Sequence, residues 1–170
     1  SLLEDPEAGF ASDVQSVCLA HGAISFKNAQ RCSVTDCLIH HIGTHAIEVT
    51  TGCHNIKIEN NKFDDIGAGA VKIFGGDAES DESDLTNCCI VRNNTIINCG
   101  KRLAAACGIL VCHAAENEIT GNEVAYLDYS GISVGWVWGY AKNTCYGNII
   151  KNNHIHHIGQ GKLSDMGGIY

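Results

Sequence analysis

The sequence predicts an all-β chain: a right-handed parallel β-helix, a single-stranded solenoid of three short strands per coil and about six coils. Three observations predict it. A small residue followed by Ile or Val recurs as Ala23-Ile24, Ala46-Ile47, Ala70-Val71, Gly108-Ile109, Gly131-Ile132 and Gly168-Ile169, at spacings of 23, 24, 38, 23 and 37 residues. Two further apolar columns keep step: Val34, Ile58, Val91, Ile119, Ile150 and Ile39, Phe63, Ile96, Val124, Ile155. Between those two columns an Asn recurs at Asn61, Asn94, Asn122 and Asn153, with Cys37 in the first pass. Self-similarity at a fixed period marks stacked repeats, which bury their inner faces only against one another. Stacked identical amides hydrogen-bond along a column, so the Asn series reads as an internal ladder.

Taken in order, each coil has a first strand at the Ile/Val column, then a second and a third at the columns that follow. Each third strand closes on an apolar residue: Ile42, Ile66, Cys99, Leu127 and Ile158. Gly43, Gly67, Gly100 and Gly159 then mark a turn, where a positive φ suits Gly. An amphipathic-helix repeat does not fit, because the apolar period is two. A leucine-rich repeat lacks its Leu pattern. Extra residues fall at four places: the acidic run 77–84, the stretch 101–106, the aromatic stretch 136–140 and the stretch 160–165. All four flank the first strands, and this predicts a walled groove on the outer face of the first sheet. Long loops on one face of a solenoid are where function concentrates.

Composition narrows the function classes. One domain over 1–170 is long enough for a real core. The chain begins without Met and stops on a strand, so it reads as a fragment of a longer β-helix. No apolar run has membrane-span length, which argues against a membrane protein. Nineteen acidic against eleven basic residues argue against a nucleic-acid surface. None of the ten Cys falls in a CxxC pair. The common zinc and dithiol spacings are therefore absent, and buried thiols are expected. The acidic run offers oxygen ligands for calcium without EF-hand spacing, so it reads as a solvated loop, and no cofactor is called.

The chemical hint is a pair of aspartates. Asp128 stands four residues before Ile132, and Asp165 four before Ile169. Equivalent places on adjacent coils put two carboxylates roughly 4.8 Å apart, near the separation of about 5–5.5 Å at which retaining glycosidases hold theirs. Two carboxylates so close repel, which leaves one acid and one base or nucleophile. The competing reading makes both aspartates turn caps. Outward first-sheet positions include Ser25, Glu48, Lys72, Leu110, Ser133 and Tyr170. Glu48 and Lys72 are substrate-binding candidates, with a cross-strand ion pair as the alternative. Trp136, Trp138 and Tyr140 are candidates for stacking on sugar rings. Tyr129, Tyr170, His45 and His113 complete the substrate-binding set. His40, His41, His154, His156 and His157 invite a metal reading. However, His41 and His157 share one register with Asp65, Asn98 and Tyr126 between them, so no metal site is called.

The stretch Asp128-Tyr129-Ser130-Gly131-Ile132-Ser133-Val134-Gly135-Trp136, with Asn152–Gly161 and Leu163-Ser164-Asp165-Met166-Gly167-Gly168-Ile169-Tyr170, resembles carbohydrate-active β-helix proteins. Glycoside hydrolase family 141 and its relatives in the pectate-lyase-like superfamily are the group it is most similar to. The resemblance covers about the last quarter of the chain. It implies a secreted or periplasmic glycosidase of plant or algal polysaccharide with catalytic aspartates, of which Asp165 matches best. The expected function is glycoside hydrolysis through Asp165 and Asp128, with a carbohydrate as partner and neither nucleic acid nor membrane. The alternatives are a calcium-dependent polysaccharide lyase and a non-catalytic carbohydrate-binding or structural β-helix.

Overall fold

A computed structural model gives the fold. It describes residues 14–170 in full and, of the first thirteen, only the antiparallel pairing of Glu4–Asp5 with Phe10–Ala11. The one-domain reading extends to residue 1, and that part lies outside the described residues.

The chain is a right-handed parallel β-helix. The first sheet stacks Gly22–Phe26, His45–Val49, Val71–Phe74, Ile109–Cys112 and Ile132–Gly135. An isolated bridge from Ile132 to Ile169 begins a sixth rung. The second sheet stacks Ser33–Thr35, Lys57–Glu59, Ile90–Arg92, Glu118–Thr120 and Ile149–Lys151. The third stacks Leu38–Ile42, Lys62–Ile66, Thr95–Cys99, Glu123–Leu127 and His154–Ile158. Every pairing within these sheets is parallel, and the registers reproduce the three apolar columns. The inward residues form one continuous core. Ile47, Val71, Ile109, Ile58, Val91, Ile119, Phe63, Ile96 and Val124 are all at most 1% exposed.

The asparagine ladder is present. Asn61 Nδ2 donates to Asn94 Oδ1 at 3.0 Å, Asn94 Nδ2 to Asn122 Oδ1 at 3.0 Å, and Asn122 Nδ2 to Asn153 Oδ1 at 2.9 Å. Each amide also caps the backbone. Asn122, for example, donates to Val91 O and accepts the Asn94 N–H. The Cys37 N–H ends the column on Asn61 Oδ1. A second, shorter ladder lies before the second sheet. There Asn117 Nδ2 donates to Asn148 Oδ1 at 2.8 Å, and the Cys89 N–H donates to Asn117 Oδ1.

Corners are made by columns of left-handed residues. Asp36, Asn60, Asn93, Gly121 and Asn152 have φ between 54° and 66° and turn the chain into the third sheet. His41, Asp65, Asn98, Tyr126 and His157, at 49° to 62°, bend the third strands near their ends. A bulky residue such as Tyr rarely takes this conformation, so the stack around Tyr126 enforces it. The glycine column is only half conformational. Gly100 and Gly159 have positive φ, whereas Gly43 and Gly67 do not. Gly67 is required for another reason: a Cβ there would lie 2.5 Å from Gly43 O.

No cysteine pair is bridged, and six of the ten cysteines are buried. Burial pushes the thiols of Cys89 and Cys107 up to about 12.

Candidate functional site

The outer face of the first sheet is not an open groove across its middle coils. Residues 14–20 lie on it. The Gln15 amide donates to the Tyr129 hydroxyl at 3.3 Å, Ser16 Oγ is 3.1 Å from Cys107 Sγ, and His45 Nε2 is 3.0 Å from Val17 O. Lys72 Nζ donates to Cys18 O at 3.0 Å and to Ala20 O at 2.5 Å. Val17 and Ala20 pack with Ala68, Leu103 and Ala106, so the stretch 101–106 braces the segment from the side. The outward residues Glu48, Lys72, Leu110 and Ser133 are consequently at most 5% exposed.

Beneath this cover Glu48 and Lys72 sit opposite each other in register and form an ion pair at 2.8 Å. Burial acts to raise the Glu48 pKa. The Lys72 hydrogen bond and charge, with the Gly22 N–H, outweigh it and hold the group below the usual carboxylate value. His45 is fully buried. Its Nδ1 accepts the Gly69 N–H, so its Nε2 donates to Val17 O. That tautomer is neutral, and burial lowers its pKa. Beside the segment, against Cys18 and Leu19, a depression of about 470 Å³ opens toward His21, Lys27, Glu48, Lys72 and Phe74.

The two aspartates lie on the approaches to the last two first-sheet rungs. The Asp128 carboxylate is 3% exposed and receives Lys162 Nζ at 2.6 Å. Asp165 is exposed, holds a left-handed φ of 57° and accepts the Tyr170 hydroxyl at 3.1 Å. The Ser130 hydroxyl accepts the Gly167 N–H at 3.2 Å and ties the two approaches together. Tyr129 belongs to the same cluster. Burial raises its phenol pKa, and the nearby Tyr170 and Asp165 add to that rise.

The aromatic stretch leaves the first sheet through Gly135 at φ 144° and Trp136 at φ 97°. Trp136 is half-buried against the Cys18, Leu110 and Cys112 cluster with Phe74. Trp138 is 70% exposed and meets the Trp136 ring edge-on at 5.2 Å. Tyr140 is fully exposed. His113 faces elsewhere. It lines a cavity of about 340 Å³ with Asp77, Glu82, Lys142 and Tyr146, and its Nδ1 is buried without a hydrogen-bond partner.

The candidates named from the sequence therefore fall into four places. Asp128, Asp165, Tyr129 and Tyr170 lie along the last two rungs, Asp165 bonded to Tyr170 and Asp128 to Lys162. Glu48, Lys72 and His45 lie under residues 14–20. Trp136, Trp138 and Tyr140 form one loop, and His113 stands at a separate cavity.

A model of the right handed beta helix region matches residues 22–170. The chain belongs to that family. No curated protein and no solved structure matches it. For this β-helix protein the family accounts for the stacked coils and leaves the chemistry to the side chains. Sequence reasoning missed the Lys162 partner of Asp128 and the covering segment. One signal of a cover was available: Leu110 stands apolar in an outward column that otherwise holds Ser25, Glu48, Lys72, Ser133 and Tyr170.

Proposed function

We propose that this β-helix protein is a glycoside hydrolase of the family 141 type, acting on plant or algal polysaccharide with Asp165 and Asp128 as its carboxylate pair. The observation that carries the reading is the last-rung cluster. An exposed carboxyl group, Asp165, and a buried, lysine-paired one, Asp128, stand on consecutive approaches to the first sheet, with two tyrosines beside them. Of the two, one carboxyl group protonates the leaving glycosidic oxygen, and the other, ionised, activates the attacking water or attacks the sugar itself. Asp128 reaches substrate once Lys162 swings away from it. Trp138 and Tyr140 present exposed rings on which the faces of sugar rings stack.

A second reading has its own support. Lys162 occupies Asp128, and residues 14–20 cover the middle of the sheet, which suits a non-catalytic carbohydrate-binding or structural β-helix. Hydrolysis of a panel of aryl glycosides and plant polysaccharides separates the two. Asp165→Asn and Asp128→Asn should each lower turnover by about 10²–10⁴-fold, the usual contribution of a positioned acid or base. Full activity in Asp165→Asn would refute the assignment. Background activity in the wild type with retained sugar binding would establish the second reading.

A further inference from the structure

Away from the last-rung cluster, three side chains converge on the outer face of the third sheet. We propose that Glu123, His154 and His156 bind one divalent transition-metal ion, with Zn²⁺ as the representative ion. His154 and His156 are two residues apart on one strand, so both side chains leave the same face. Ile155 between them points into the core. The neighbouring strand places Glu123 directly opposite His154 and Ala125 opposite His156.

One ligand atom from each of the three side chains lies within 4.8 Å of the other two. The two imidazoles are 4.3 Å apart at 35°, and His156 Nε2 is 3.4 Å from Glu123 Oε1. Two imidazoles and a carboxylate with an open fourth position are a common zinc donor set. Bonds of about 2.0–2.2 Å set neighbouring donors on the order of 3.5 Å apart, so rotamer adjustment closes the set without moving the backbone. His156 Nδ1 is 2.7 Å from His157 Nδ1, which leaves Nε2 for the ion, and a partner on the second ring nitrogen orients a ligating His. The Tyr126 ring packs edge-on against His156 at 5.8 Å and fixes its plane further. Because the ligands come from two successive coils, a bound ion staples one rung of the stack to the next.

The test is Zn²⁺ titration of the chelator-stripped full chain by calorimetry, with melting followed in parallel. All arms carry Cys37→Ser, which removes the exposed thiol. One ion per chain is expected, with a rise in melting temperature on binding. His154→Ala and His156→Ala should each weaken binding at least about tenfold and abolish that rise, and Glu123→Gln should weaken it less. The metal-free melting temperatures should stay at the parent value, which separates a lost ligand from a lost fold. His40→Ala with His41→Ala, on the first coil, should leave the tight site intact. Absence of stoichiometric uptake, or uptake unchanged in the His154→Ala/His156→Ala double variant, would overturn the proposal. None of these readouts depends on glycosidase activity.

Discussion

Replacing Lys72 with Met asks what holds residues 14–20 on the first sheet. Met keeps the unbranched stem of the side chain, one atom shorter, and removes its charge. Glu48 then loses its 2.8 Å partner and keeps only the Gly22 N–H at 3.1 Å and His21 at 3.7 Å. Cys18 O and Ala20 O lose their donor in the same step. Removing one member of a buried ion pair costs about 3–5 kcal/mol, and each orphaned carbonyl about 1–3 kcal/mol. A short segment does not sustain that load, so it lifts and water reaches Glu48. The observed loss is then capped at the local opening energy of the segment. A loss of about 3 kcal/mol corresponds to opening about 10²-fold more often. Native-state hydrogen exchange reads this at Val17 and Ala20, whose N–H groups bond to Val14 O and Val17 O. The stacked coils, which do not depend on the pair, should exchange as before. Adding Glu48→Leu removes the stranded carboxylate and should restore part of the protection, the remaining deficit being the two carbonyls. Exchange at Val17 and Ala20 within about threefold of wild type in Lys72→Met would refute the reasoning, since that is a change of under about 1 kcal/mol. So would a double variant no better protected than the single.

Three more predictions follow from the same structure. Glu48 has a depressed folded pKa against an ordinary value of 4.5, so its contribution to stability is present above that value and is lost as pH falls below it. Urea midpoints should hold down to about pH 4.5 and then drop, and Glu48→Gln should flatten that part of the drop. Asn122→Ala removes four ladder hydrogen bonds at a buried site and should cost about 4 kcal/mol, at about 1 kcal/mol each. The half-buried end member Asn153 makes three such bonds and should cost about 3 kcal/mol at most by the same urea assay, and a reversed order would count against the ladder as the source. Iodoacetamide mapped by mass spectrometry should modify exposed Cys37 first. Cys89 and Cys107, buried and pushed up to about 12, should react only as fast as the coils open.

The stack was legible because its signal is periodic. Ile24, Ile47, Val71, Ile109 and Ile132 repeat a pattern that only stacking satisfies, and the Asn61 to Asn153 column declares its own register. The Asn117–Asn148 ladder escaped notice because two rungs make no series. Residues 14–20 escaped for a different reason. They have no repeat partner, and their bonds reach as far as Tyr129, 114 residues on from Gln15. Glu48 and Lys72 were legible as a cross-strand pair, but burial turns that pair from a surface contact into a clamp. Lys162 was readable as a basic groove residue for the lyase alternative, but not as the partner of Asp128, since that meeting depends on how the 160–165 loop folds back. The glycines of the turn column show how one residue type serves two purposes, a positive φ at Gly100 and close backbone approach at Gly67.

The corner column His41, Asp65, Asn98, Tyr126 and His157 separates shape from identity. The corner demands a backbone angle, and an imidazole, a carboxylate, an amide and a phenol all meet it. Their side chains therefore form a line of letters written at one coil per character, at a pitch of roughly 4.8 Å. Rewriting a letter changes what the molecule displays to its surroundings while the inward columns, which carry the fold, keep their text. A stacked chain of this kind presents a different chemical group at each rung of one corner while every rung keeps the same backbone angle.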